Sequence, residues 1–167
     1  MDGHFSNVFS NMNVGADLMV VGQNPGSDEV IREEPFVGAS GQFFDSAVLE
    51  VLGLERASFY ISNVVRCFTP GNRTPSADEM ENCRDFLDRE IALVKPKVVI
   101  ALGAPSFSQL TGMRGITKHH GDLIVSARYG VHVVPIFHPS PRNMNDTERR
   151  RMFYEGLKTV REFLDAV

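Results

Sequence analysis

The chain alternates short, wholly apolar runs with amphipathic stretches of helical period, and that alternation limits the folds open to it. Leu18–Gly22 and Val98–Leu102 are brief apolar runs, one closed and the other followed by glycine, which suits buried strands. Phe59–Val65 is rich in β-branched and aromatic residues and reads as a strand. Leu123–Ser126 and Val131–Phe137 are apolar, with Tyr129-Gly130 as the turn between them. Helical patterns lie among these runs. Phe44, Ala47, Val48, Val51 and Leu52 share one face and Gly53 stops them. Ser76 and Glu79 form a capping-box pattern that opens a second helix, with Met80, Cys83, Leu87, Ile91 and Val94 on its apolar stripe and Pro96 beyond its end. A short helix is expected near Pro105–Leu110. From Asp146 a final one carries Phe153, Leu157, Val160 and Leu164. Strands alternating with helices predict a mostly parallel sheet covered on both faces. In such folds ligands bind beyond the carboxyl ends of the strands.

Composition narrows the class. With 167 residues, 43% hydrophobic and 23% charged, the chain reads as a single domain over 1–167, in which 1–16 is a polar, Asn/Ser-rich lead-in. Two cysteines do not make a disulfide scaffold, and no apolar run reaches the roughly 18 residues of a membrane span. The N-terminus has neither a secretory nor a transit pattern, so a cytoplasmic location without membrane contact is expected. The net charge of -4 argues against a general polyanion binder, while a local basic rim remains compatible with nucleic acid. The nucleotide-binding glycine fingerprints, the G-x-S-x-G elbow and H-E-x-x-H are all missing. His119 and His120 are adjacent, hence divergent, and suit an exposed loop or a DNA-facing rim better than a metal site.

Three polar segments fall at predicted strand ends: Gln23-Asn24-Pro25-Gly26, Asn63-Val64-Val65-Arg66 and His138-Pro139-Ser140. With them in place, the chain resembles the uracil-DNA glycosylase superfamily, and within it the thermostable, iron–sulfur family four. Gly22-Gln23-Asn24-Pro25-Gly26 is similar to the first superfamily motif. Glu34-Pro35-Phe36-Val37-Gly38-Ala39-Ser40-Gly41 resembles the family-four pocket loop. Asn63-Val64-Val65-Arg66-Cys67 and Pro70-Gly71-Asn72-Arg73-Thr74-Pro75 resemble the next segment, and His138-Pro139-Ser140 the second catalytic motif. The resemblance implies a three-layer α/β/α sandwich around a mostly parallel, four-stranded sheet. It also implies monofunctional removal of uracil from DNA, the first step of base-excision repair, by a monomer.

Such chemistry needs a flipped base held in a tight pocket. The resemblance casts Phe36 as the ring that stacks on the base and Asn63 as the amide that matches uracil O4 and N3–H, a pattern cytosine reverses. His138 would donate to O2 as charge grows there, and Asn24 would position water, with the Gln23 backbone facing the same pocket. Ser40 and Ser140 would bond phosphates, and Arg66, Arg73 and Arg142 would form the basic rim. Plainer roles exist. Asn24 and Asn63 also suit turns, Phe36 a core, and His138 a satisfied strand end. Arg149-Arg150-Arg151 suits a solvated helix start better than a DNA contact.

The chain also departs from the family. Gln23 stands where family four usually carries Glu and Asn24 where it carries Ala or Gly, and Arg142, with Met144 close by, takes the place that a leucine wedge holds in other branches of the superfamily. Family-four members hold a [4Fe–4S] cluster on four cysteines. Cys67 and Cys83, separated by 15 residues, match the second pair, and no cysteine precedes the first motif. Two thiolates do not complete a four-thiolate cluster, so no cofactor is expected unless further ligands are supplied; His4 is a speculative one. Cys83 on the apolar stripe also suits plain core packing. Two other functions compete: a catalytically weak or inactive module that binds uracil-containing or single-stranded DNA, and a small-molecule binder on the same sheet.

Overall fold

The computed structural model describes residues 10, 11 and 13–167, so His4 and most of the lead-in lie outside the described residues. Strands β1 (Leu18–Gly22), β2 (Tyr60–Asn63), β3 (Val98–Leu102), β4 (Ile124–Val125) and β5 (His132–Ile136) form one sheet in the order β2-β1-β3-β5-β4. The first three and β5 run parallel, and β4 pairs antiparallel with β5 at the edge. The sheet therefore has five strands rather than four, the extra one being the two-residue β4. Helices α1 (Ser27–Arg32), α2 (Ala39–Leu52), α3 (Ala77–Val94), α4 (Ala104–Thr111), α5 (Ile116–His119), α6 (Pro141–Met144) and α7 (Thr147–Ala166), with 3-10 turns at Arg56–Ser58 and Pro70–Asn72, complete the described elements.

The strands read as continuous apolar runs because both faces are covered. Leu18 and Val20, Val98 and Ile100, and Val134 and Ile136 point to one side, against Phe44 and Val48 of α2 and Phe153, Leu157 and Val160 of α7. The alternate residues Met19 and Val21, Val99 and Ala101, and Val133 point to the other, against Leu87, Ile91 and Val94 of α3 and Phe107 and Leu110 of α4. Each large side chain so buried contributes about 1.5–3 kcal/mol, which fixes the register of the parallel strands. That register pairs Gly22 with Asn63 and Leu102 with Ile136, so β1, β2, β3 and β5 end close together. Beyond the strands the backbone ties continue. Val64 N–H donates to Gly22 O and Val65 N–H to Gln23 O, both at 3.0 Å, and Gly103 N–H donates to Ile136 O at 2.9 Å. The buried Ser106 hydroxyl donates to Val21 O at 2.7 Å, locking the start of α4 to β1.

Ser76 and Glu79 form the reciprocal capping box that opens α3. Gly53 closes α2 in the left-handed region, with φ of 69°. The segment 23–40, whose Pro25, Gly26, Pro35 and Gly38 suit a long loop, holds α1 and the start of α2. Helix α1 buries no residue and leaves Ile31 79% exposed, so it carries no apolar period to read. Helices α5 and α6 are four residues each, too short for periodicity to show.

Candidate active site

The pocket opens where β1, β2 and β5 end. It is a cavity of about 210 Å³ lined by Gln23 and Asn24 after β1, Asn63 at the end of β2, His138 after β5, Phe36 from the segment between α1 and α2, and Ser40 from the first turn of α2. Gly22, Asp28, Glu29 and Asn72 also line it.

Asn63 is buried, and its amide lies over Gly22, its partner in the strand register. A Cβ at Gly22 would sit 2.6 Å from Asn63 Oδ1, so only glycine leaves the amide in this place. Asn24 is oriented from the other side. Its Nδ2 donates to Thr69 Oγ1 at 3.1 Å and to Asn72 Oδ1 at 3.3 Å. Thr69 is buried, and its own hydroxyl proton goes to Arg73 O at 2.6 Å, so its oxygen can only accept from Asn24. The Asn24 donors are thus engaged, and its carbonyl oxygen is the end left for an incoming hydrogen.

Phe36 is 7% exposed and stands edge-on to His138, with ring centroids 5.9 Å apart and planes at 80°. It is edge-on to Phe44 as well, at 5.5 Å, and this second contact anchors the ring to the core. Its backbone is left-handed, with φ of 57°, an uncommon state for a bulky residue. Arg56 holds that backbone, donating from Nη1 to Phe36 O at 3.0 Å and from Nη2 to Pro35 O.

His138 is held through its backbone. Asn143 Nδ2 donates to His138 O at 2.8 Å, and Arg149 Nη1 donates to Asn143 Oδ1 at 2.8 Å. Burial pushes the His138 imidazole below its ordinary value, so the ring is neutral at neutral pH and keeps one N–H to donate. Ser140 lies just past this point, capping α6 by accepting from Asn143 N–H at 3.3 Å.

A family model of the uracil DNA glycosylase superfamily matches residues 9–161. The chain belongs to that superfamily. It is 36% identical over 161 residues to the type-4 uracil-DNA glycosylase of Sulfurisphaera tokodaii, an alignment covering 88% of this chain and 70% of that one. It is 34% identical over 161 residues to the type-4 uracil-DNA glycosylase of Saccharolobus solfataricus, covering 92% and 74%. To that of Thermotoga maritima it is 36% identical over 155 residues, covering 91% and 80%.

Within this uracil-DNA glycosylase fold some expected site residues stand apart from the pocket. Arg66 does not lie on a rim. Its guanidinium is buried, paired with Glu90 and set over the Phe86 ring at 5.5 Å. Tyr60 and Ser62 hydroxyls donate to the same Glu90 carboxylate. The sequence cue misled because Arg66 follows the strand closely enough to turn back under α3. Arg73 is exposed but pairs with Glu79 at 2.6 Å, and Arg142 is exposed on α6. His119 and His120 do not sit in an exposed loop. His119 ends α5, and His120 stacks on Phe137 with ring centroids 4.3 Å apart. Arg149 lies over the other part of that cluster, 5.5 Å from the Phe137 ring centroid. Arg151 pairs with Glu148 and Glu155 on its own helix, whereas Arg149 reaches Asn143 and Arg150 lies over the Phe43 ring of α2.

The residues that sequence reasoning missed are Arg56, Thr69, Asn72, Asn143 and Arg149. Each acts on a motif residue through a contact distant in sequence or across a turn, which no local pattern displays. The cysteines also have a defined place. Burial, with Cys83 and Glu79 close by, pushes the Cys67 thiol up, and Cys83 packs against the α3 side of the core. Among the described residues no three His, Cys, Asp or Glu side chains are grouped to hold a metal ion. The chain's two cysteines supply half of a four-thiolate set, so the residues present do not fit an iron–sulfur cluster.

Proposed function

We propose that this chain is a monofunctional glycosylase that hydrolyses the bond between uracil and deoxyribose in DNA and so initiates base-excision repair. What supports this most directly is the convergence on one cavity of Asn24, Phe36, Asn63 and His138, drawn from four separate parts of the chain. Phe36 stacks on the flipped base, and Asn63 pairs with its O4 and N3–H edge, with the Gln23 backbone beside it. As the C1′–N1 bond breaks, its electron pair passes to the base, and negative charge develops on O2. The neutral His138 ring donates a hydrogen bond to that oxygen. Water attacks C1′, oriented by the Asn24 carbonyl oxygen whose partner NH₂ is held by Thr69 and Asn72. The proton that the water gives up ends on the departing uracil anion, so the products are free uracil and an abasic sugar in an uncut strand. Ser40, at the pocket, and Ser140, Arg73 and Arg142, beyond it, meet the DNA backbone. Residues 1–167 act as one glycosylase unit, a monomer, and no step uses a metal cluster. Location in the cytoplasm belongs to the same reading. Among the described residues no helix is long and apolar enough to cross a membrane.

The test is uracil release from oligonucleotides carrying one uracil, single-stranded or opposite G or A, followed by alkali cleavage. The wild type should release base, and His138→Ala should lower the rate by roughly 10²–10³-fold, the usual loss for one donor to a developing oxyanion. Asn24→Ala should be strongly impaired as well. Retention of uracil-DNA without release would replace the enzyme with a binding module.

A further inference from the structure

We infer that Arg56 is a positioning residue for base recognition, one that sets the stacking ring without touching the base. This rests on the glycosylase reading above. The ring of Phe36 lines the pocket from a left-handed backbone, with φ of 57°. An unrestrained Phe would leave that region, which is sparsely populated for bulky residues. Two features oppose the escape. On one side the Arg56 guanidinium uses both terminal nitrogens as a fork, Nη1 on Phe36 O and Nη2 on Pro35 O. The fork is itself fixed, because Nη1 also donates to both Asp45 carboxylate oxygens, at 3.2 and 3.1 Å. On the other side the first turn of α2 presses on the same carbonyl. A Cβ built on Gly41 would overlap Phe36 O and its carbonyl carbon, so α2 can approach only because Gly41 has no side chain.

The pair ties α2, whose Ala39 and Ser40 line the pocket, to a turn outside the pocket lining. Asp45 is on α2, and Arg56 begins the 3-10 turn Arg56–Ser58 ahead of β2. The pocket wall is therefore strapped to the scaffold at successive carbonyls, by a donor set that only arginine presents. A lysine is a single point charge and reaches one carbonyl at a time. Asp45 is the partner that keeps the fork from turning to solvent. Removing the fork frees Phe36 to relax to negative φ, which swings the ring away from His138 and from the base.

The experiment measures single-turnover uracil release and inhibition by free uracil for the wild type, Arg56→Ala, Arg56→Lys, Asp45→Asn, Phe36→Ala and the double variant Arg56→Ala with Phe36→Ala. Thermal melting checks that each is folded. Arg56→Ala should slow release by roughly 10- to 100-fold, the scale of losing hydrogen bonds from a charged donor, and should weaken uracil inhibition in parallel. Arg56→Lys should recover part of both, and Asp45→Asn should lose less than Arg56→Ala. In the Phe36→Ala background, removing Arg56 should cost little more, since the ring it positions is already gone. If the two losses multiply in the double variant, or uracil inhibition is unchanged in Arg56→Ala, the positioning role is wrong while the activity stands. Should Arg56→Ala fail to fold, unchanged uracil inhibition in both Arg56→Lys and Asp45→Asn overturns the role equally. A wild type that releases no uracil overturns the glycosylase reading itself, and the positioning role with it.

Discussion

At position 22 the missing side chain decides what the neighbouring amide can do. Gly22 and Asn63 face each other across two parallel strands, and the Asn63 oxygen occupies the space a Cβ would need. Gly22→Ala should therefore act on base choice before it acts on stability. We expect uracil release to fall by about tenfold or more, with the largest loss in discrimination between uracil- and cytosine-containing oligonucleotides, read by competition in the same assay. The same scale explains which roles could be read from residues alone. Asn24, Phe36, Asn63 and His138 stand in motifs whose residue types match the chemistry. Arg66 did not follow its motif position, because a guanidinium near a strand end can be drawn inward by a buried carboxylate such as Glu90 as easily as outward by phosphate.

Between elements, one close seam is where α7 meets β5 and the end of α5. Gly156 lets α7 approach so closely that a Cβ there would lie 3.0 Å from Ile136 and 3.2 Å from the His120 ring. His120 is thereby enclosed, its Nε2 buried with no hydrogen-bond partner, and burial pushes its pKa down to about 4 despite Glu155 and Asp122 nearby. A depressed histidine binds its proton more readily in the unfolded chain, so stability is full above the ordinary value of 6.5 and declines as pH falls toward 4. His138, depressed in the same direction, adds to that slope. Melting temperature should drop between pH 6.5 and 4, and His120→Leu should flatten part of the drop. The long elements were legible because each carries a period or a cap: the Ser76–Glu79 box, the Gly53 stop, the stripe on α7. Helices α1, α5 and α6 were not, since a helix of four to six residues gives at most two positions on a face.

For the whole molecule, the sheet order is what brings distant segments to one rim. Motif residues as far apart as Gln23 and His138 end on strands separated only by β3, so the pocket exists only when the full sheet is paired. Arg66–Glu90, Arg73–Glu79 and the Thr69 hydroxyl bond to Arg73 O secure the segment after β2, and the chain's two cysteines supply half of a four-thiolate set. Iron and acid-labile sulfide analysis of protein purified without air should therefore find well under four irons per chain, and chelators should leave the melting temperature unchanged. Four irons would show that other ligands complete the set. The left-handed turn at Phe36 carries one more consequence. Because the wall of the cavity is shaped during folding, little ordering is left to be done when a base arrives. The departing base likewise finds nothing that must open to let it go. Turnover at saturating substrate should then be limited by separation from the abasic strand, with free uracil escaping first.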